Sequence, residues 1–151
     1  MKQKIGVFPG SFDPVTKGHE SVINKALVLF DKIYIAIGEN SNKTYLFPLD
    51  KRMEWIKETF NNPKIEVVNY QGLTVDFCKK VNAQFIIRGI RNSGDFEFEK
   101  SIADVNAKLS DVETVFFMAS AEYASISSSI VREVYKNGGV IDILVPKSVK
   151  P

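Results

Sequence analysis

One histidine, three consecutive serines, a pair of arginines and a loop lysine carry the chemistry available to this 151-residue chain. Each sits just beyond a short apolar run. Ser127-Ser128-Ser129 opens a stretch with helical spacing, so hydroxyls and unpaired backbone N–H groups point the same way. Helix N-termini favour anions through those donors and the dipole, whereas simple capping needs only one serine. His19 follows Gly18 and also opens a helical stretch. A lone histidine is usually an ordinary surface or core residue, but this placement points toward a ligand. Arg88 and Arg91 flank Gly89-Ile90, and guanidinium forks match phosphate oxygens bidentately. Lys43, in a Ser/Asn loop, is either a solvated side chain or a member of the same basic set.

Absent motifs narrow the reaction. The first loop lacks the Gly-Lys-Ser/Thr ending of a phosphate-binding P-loop. No Gly-x-Gly-x-x-Gly follows the first apolar run, which disfavours dinucleotide redox chemistry. No Gly-x-Ser-x-Gly elbow supports a nucleophilic serine. Cationic groups and helix N-termini without a nucleophile point to the positioning of phosphates. Phosphoryl chemistry can proceed by alignment and charge stabilisation alone.

The elements that must hold these loops are legible as an alternation. Ile5–Phe8, Lys32–Ile37, Lys64–Tyr70, Gln84–Ile87 and Glu113–Met118 read as buried parallel strands. Between them, apolar residues recur at helical spacing from about His19 to Phe30, from Leu49 to Asn61, around Val75, Cys78 and Val81, and from Asp95 to Leu109. A fifth helix is expected over Ser127–Asn137, stopped by Gly138-Gly139. Five strand–helix units predict an α/β fold, a doubly wound parallel five-stranded sheet in one domain over residues 1–151. Val140–Val145 fits a short helix or an extended tail equally well. The loops Pro9–His19, Gly38–Thr44, Gln71–Thr74, Arg88–Asn92 and Ser120–Ser129 would then all leave the carboxyl ends of strands, where open α/β sheets bind ligands. Asp95-Phe96-Glu97-Phe98-Glu99 would open the fourth helix with acids suited to its dipole, and one of them could contact a sugar or a metal. Trp55 and Cys78 read as packing.

Composition sets the outer limits. Hydrophobic residues at 44% and charged residues at 25% are ordinary for a globular domain and argue against a disordered, collagenous or coiled-coil chain. A net charge of +2 is too small to argue for a duplex-DNA or anionic-membrane binder, and neither partner is expected. No apolar run approaches the roughly 20 residues of a membrane span, and the segment after Met1-Lys2-Gln3-Lys4 is too short for a signal-peptide core. One cysteine allows no internal disulfide and fits a reducing compartment. A soluble, cytoplasmic protein is the expectation.

Two motifs and one further region resemble a known family. Gly10-Ser11-Phe12-Asp13-Pro14 with Thr16-Lys17-Gly18-His19 is similar to the T/HxGH signature of nucleotidylyltransferases, and Ile126-Ser127-Ser128-Ser129 with Val131-Arg132 to their second, ISSS-type motif. Arg88–Asn92 and Asp95–Glu99 resemble a region specific to the bacterial phosphopantetheine adenylyltransferases. The match runs in order from Ile5 to about Pro146.

The resemblance implies a Rossmann-like fold and transfer of the adenylyl group from ATP to 4′-phosphopantetheine, giving dephospho-coenzyme A and pyrophosphate with Mg²⁺. It implies that His19 stabilises the transition state and meets the ATP phosphates. Ser11 and Phe12, Gly89, Ile90, Arg91 and Glu99, and Tyr123, Ala124, Ser125, Ile126, Ser127, Ser128 and Ser129 would contact ATP. Ser11, Lys43, Thr74 and Arg88 would hold the phosphopantetheine. It gives no metal ligands, and it implies a homohexamer. A transferase with another acceptor (nicotinamide mononucleotide, or glycerol phosphate with CTP) is the alternative within the class, disfavoured by the Arg88–Asn92 and Asp95–Glu99 regions. A nucleotide-binding sensor without turnover is the alternative outside it, disfavoured by the intact Thr16, Gly18, His19 and Ser127–Ser129.

Overall fold

Runs rich in Ile, Val and Phe bury both faces only if helices cover both sides of the sheet, and this chain folds that way. In the computed structural model, which describes residues 2–151, the order is β1 (Ile5–Gly10), α1 (Lys17–Ala26), β2 (Lys32–Glu39), α2 (Leu49–Thr59), β3 (Ile65–Gln71), α3 (Thr74–Lys80), β4 (Phe85–Ile90), α4 (Ser93–Leu109), β5 (Glu113–Met118) and α5 (Ser128–Lys136). A single 3₁₀ turn, Ala121–Tyr123, precedes α5. The five strands are parallel in the order β3-β2-β1-β4-β5, as the alternation predicts.

Two cores lie on opposite faces of this sheet. The larger packs Val22 and Ile23 of α1, Trp55 and Ile56 of α2 and Val131 of α5 against Phe8, Ile33, Ile35, Ile37 and Ile87. The smaller packs Val75, Phe77 and Cys78 of α3 against Val7, Ala36 and Ile86. Burial pushes the Cys78 thiol up to about 11, so it is an inert core residue, as expected. Each fully buried isoleucine contributes roughly 1.5–3 kcal/mol.

Chain order reverses between β1 and β4, and that reversal places the site. Register pairs between β1 and β2 run from Ile5↔Lys32 to Gly10↔Ile37. Between β1 and β4 there are only two, Gly6↔Phe85 and Val7↔Ile86. Beyond Val7 these strands part, leaving a crevice at the topological switch point. Gly89 lines its β4 side because a Cβ there would meet Val22 Cγ2 of α1 at 2.8 Å.

The boundaries correct several expectations. Pro9-Gly10, Gly38-Glu39, Gln71 and Arg88–Ile90, expected in loops, belong to strands, because ladder pairing outlasts the apolar run: Arg88, Gly89 and Ile90 pair with Phe116, Phe117 and Met118. Helix α1 ends at Ala26 rather than near Phe30. Val28 and Leu29 are exposed, and Phe30 turns back into the core as the chain enters β2. Thr74 opens α3 instead of ending a loop. Gly138, at φ +76°, stops α5. Residues 140–145 form neither a helix nor a tail but turns, anchored by buried Ile141 and Val145 and by the Leu144 carbonyl accepting from Lys17 N–H.

Candidate active site

Helix α1 begins with a cap that also sets the state of the only histidine. Thr16 is the N-cap: its Oγ1 accepts from His19 N–H at 3.4 Å, while His19 Nδ1 accepts from Thr16 N–H at 3.0 Å. This is the reciprocal capping box, with histidine in the place of the usual Glu or Gln. A backbone N–H can only donate, so Nδ1 is unprotonated and the neutral ring carries its proton on Nε2. Desolvation, aided by the Arg88 and then the Arg91 charge, holds His19 down at about 4. Near neutral pH, the imidazole therefore offers one neutral N–H donor. Its ring packs edge-on against Phe12 at 4.9 Å and Phe8 at 6.0 Å between centroids.

Phe12 adopts φ +48°, an uncommon conformation for a residue with a side chain, and its ring is buried. The turn throws the phenyl group under His19 and leaves only Phe12 backbone for a ligand. Beside it, Ser11 Oγ accepts from Lys43 Nζ at 3.0 Å. Asp13 is buried, and its carboxylate accepts from Leu46 and Phe47 N–H at 2.8 and 2.9 Å.

Helix α4 supplies two carboxylates that organise the arginines. Glu99 takes Arg88 bidentately, from Nε at 2.7 Å and Nη2 at 2.5 Å. Arg88 Nη1 donates to the Pro9 carbonyl at 2.8 Å, across the gap where β1 and β4 part. One turn earlier, Asp95 accepts from Arg91 Nε and Nη2 and from its backbone N–H; these contacts hold its carboxyl below the usual range. Each serine at the start of α5 has a separate task. Ser127 caps the helix by accepting from Ile130 N–H, Ser128 donates to the Pro14 carbonyl, and Ser129 accepts from Arg132 Nη2.

These groups line two cavities that share a wall. The first, 330 Å³, is bounded by Ser11, Phe12, His19, Arg91, Ile126, Arg132 and the serines of α5. The second, 360 Å³, is bounded by Tyr70, Thr74, Ile102, Asn106 and Thr114. Pro9, Gly10, Ser11, Lys43, Arg88 and Glu99 border both. Thr114 Oγ1 is the one buried side-chain polar atom without a partner among the described residues. Such an orphan costs about 1–3 kcal/mol when left unpaired.

The structure gathers most of the residues selected from the sequence at the two cavities. Ser11, Phe12, His19, Lys43, Arg88, Gly89, Arg91, Glu99, Ile126, Ser127, Ser128 and Ser129 come together at the first cavity, and Thr74 joins Ser11, Lys43 and Arg88 at the second. Ile90, Tyr123, Ala124 and Ser125 line neither. Ile90 is buried, and the other three belong to the segment leading into α5. Sequence reasoning placed Arg132 in the second motif but gave it no role; its Nη1 donates to the Asp13 carbonyl at 2.8 Å. Its spacing of three and four from Ser129 and Ser128 on one helix was the available signal. Asp13 stood in the first motif without a role, and Arg52 carried no signal.

Comparison with known proteins decides the family. Residues 7–134 match the cytidylyltransferase-like family model. Over 145 residues the chain is 53% identical to the phosphopantetheine adenylyltransferase of Flavobacterium psychrophilum, covering 95% of this chain and 96% of that protein. It is 54% identical over 145 residues to that of Flavobacterium johnsoniae, at 95% of both chains. The chain belongs to the phosphopantetheine adenylyltransferase family. A crystal structure of a bifunctional NMN adenylyltransferase/ADP ribose pyrophosphatase from Francisella tularensis shares the fold, with a TM-score of 0.73 at 17% identity. The alignment covers 95% of this chain and 45% of that one. In this chain the Thr16–His19 segment is a helix cap, and Ser127–Ser129 open a second helix that lines the same cavity.

Proposed function

We propose that this chain transfers the adenylyl group of ATP to 4′-phosphopantetheine, giving dephospho-coenzyme A and pyrophosphate by direct in-line displacement. The observation that carries this reading is the pair of cavities sharing the Ser11–Lys43–Arg88 wall. The first has the donors for a triphosphate: His19 Nε2–H, Arg91, Arg132 and the N-terminus of α5. The second is lined by Ile86, Ile102 and Ala103 with the hydroxyls of Tyr70, Thr74 and Thr114 and the Asn106 amide, which suits a mainly uncharged arm bearing amides.

Where the cavities meet, an acceptor phosphate oxygen attacks the α-phosphorus while the bond to the pyrophosphate oxygen breaks. The phosphate monoester already carries about −1.5 to −2 charges at neutral pH, so no protein base is needed. Lys43 and Arg88 hold that phosphate beside Ser11. His19, neutral and donating from Nε2, meets charge growing on the transferring group without bringing a competing proton equilibrium. Ser11, the Phe12 backbone, Gly89, Arg91, Glu99 and the Ile126–Ser129 segment make the ATP side.

Mg²⁺ fits this donor set as a partner of the substrate phosphates. Asp13, Asp95 and Glu99 are engaged by backbone N–H groups or arginine, and no group of three His, Cys, Asp or Glu among the described residues could cage a metal ion. Mg²⁺ commonly keeps its waters and binds through substrate phosphates, where it would neutralise charge on the departing pyrophosphate.

The quaternary part of the reading is a homohexamer in the cytoplasm. Phe98, Ile102, Val105 and Leu109 form an exposed apolar stripe along α4, and such stripes on soluble proteins favour association. An unpaired buried Cys78 suits a reducing compartment. No helix among the described residues is long and apolar enough to cross a membrane.

Pyrophosphate release, measured with ATP or CTP against a panel of phosphorylated acceptors, tests the activity. Release with ATP and 4′-phosphopantetheine is expected. Its absence, or preference for nicotinamide mononucleotide or glycerol phosphate, would overturn the reading. Light scattering after gel filtration checks the assembly.

A further inference from the structure

Arg52, on α2, is 3% exposed, and none of the ion pairs among the described residues includes it. Burying a guanidinium without a carboxylate partner is costly, and an apolar side chain would fill the space more cheaply. The fork does what no apolar group can. Nη1 donates to the Ser11 carbonyl at 2.7 Å, Nε donates to the Phe47 carbonyl at 2.9 Å, and the group lies over the Tyr45 ring at 4.2 Å.

Those acceptors belong to different loops. Ser11 is on the segment between β1 and α1, and Phe47 lies near the end of the segment between β2 and α2 that carries Lys43. Asp13 ties the same loops in the opposite sense, by accepting from Leu46 and Phe47 N–H. Four charge-assisted hydrogen bonds thus join the loops, two with the charge on each side. What they hold in register is the Lys43 Nζ–Ser11 Oγ contact on the wall between the cavities.

We propose that Arg52 is a positioning residue for the acceptor phosphate: by bridging the Ser11 and Phe47 carbonyls, it fixes the loop from which Lys43 reaches the shared wall. This rests on the reading that Lys43 serves that phosphate. Arg52 itself touches no substrate and acts through Ser11 and Lys43. Lysine at position 52 keeps the charge but loses the planar fork, so it cannot span both carbonyls with the same geometry.

The test is a double-mutant cycle read by pyrophosphate release with ATP and 4′-phosphopantetheine. Arg52→Lys is expected to raise KM for 4′-phosphopantetheine about tenfold or more, with KM for ATP changed less than about twofold. In a Lys43→Ala background, the same substitution should change KM for 4′-phosphopantetheine by less than about twofold, because the group it positions is gone. Additive losses would overturn the proposal, as would equal losses for both substrates that follow a lowered melting temperature. Failure of both Arg52→Lys and Arg52→Gln to fold would also overturn it, by making the guanidinium a requirement of the fold. A wild-type protein that releases no pyrophosphate overturns the adenylyltransferase reading along with it, whereas additivity in an active enzyme overturns this proposal alone.

Discussion

The two cavities differ in what their walls are made of, and the difference divides the labour of the site. Around His19 the wall is backbone and charge: a helix cap, the start of α5, Arg91 and Arg132. Around Thr74 it mixes the aliphatic surface of Ile86, Ile102 and Ala103 with hydroxyls, the Asn40 and Asn106 amides and the Glu39 carboxylate. A wall of fixed dipoles and cations holds a polyanion strongly whatever its exact shape, while a wall of mixed aliphatic and neutral polar groups selects by fit and by a few hydrogen bonds. Positive charge reaches the second cavity along the shared edge, through Lys43 and Arg88. On the proposed reading, recognition of the nucleotide and of the acceptor is thereby kept on separate surfaces.

Removing the donor on the charged side should break the contrast most sharply. His19→Ala is expected to lower kcat by about 10²-fold or more while moving neither KM much, as measured by steady-state pyrophosphate release. An unchanged kcat would take His19 out of the mechanism. Next comes the shared edge. Arg88→Ala should raise KM for 4′-phosphopantetheine more than KM for ATP, and leaving Glu99 buried without its partner should cost on the order of 3 kcal/mol in denaturant unfolding. A larger effect on ATP would reassign Arg88 to the other cavity.

The third prediction concerns protons. Because His19 is the only histidine, its imidazole signals in a proton NMR titration need no assignment, and their midpoint should fall near 4 rather than 6.5. The unfolded chain then binds the extra proton first as pH falls. This part of the stability is complete above about pH 6.5 and is lost toward pH 4, up to about 3 kcal/mol. His19→Gln should flatten that limb of the unfolding curve, and a midpoint near 6.5 would contradict the enclosure of the ring. The smallest effect belongs to the apolar side. Thr114→Val removes an orphan hydroxyl and should leave stability unchanged or raise it by up to about 1 kcal/mol. Its KM for 4′-phosphopantetheine should rise a few-fold if the hydroxyl meets the arm, a distinction that kinetics and melting together can make.

Strand and helix existence was legible because parallel strands buried on both sides leave continuous apolar runs, and because helices leave faces at their own spacing. Strand ends were not. Arg88 and Gly89 continue β4 though neither is apolar, since hydrogen bonding to β5 sets the end of a strand rather than hydropathy. The gathering of His19, Lys43, Arg88, Arg91 and Ser127–Ser129 followed from chain direction alone, as all lie at the carboxyl end of one sheet. Their internal geometry did not follow. Nothing in the spacing showed that His19 closes a capping box with Thr16, that Glu99 grips Arg88 from the next helix, or that Asp13 faces inward to a loop more than thirty residues away. Those depend on which side chains the tertiary fold brings within bonding distance. The segment at 140–145 stayed undecided because its anchors, Ile141 and Val145, have no periodic neighbours.

The parting of β1 and β4 also bears on motion. With two register pairs joining them, these strands are the least zipped neighbours in the sheet, and the Arg88–Pro9 hydrogen bond is a side chain standing in for a rung of the ladder. Local opening in proteins starts where backbone bonding is sparse, so amides along this seam should exchange with deuterium sooner than those shared by β1 and β2. Any ligand spanning both cavities grips both strands at once. It would act as a staple across the middle of the sheet, and the slowing of exchange along β1 and β4 would register its arrival before any chemistry is done.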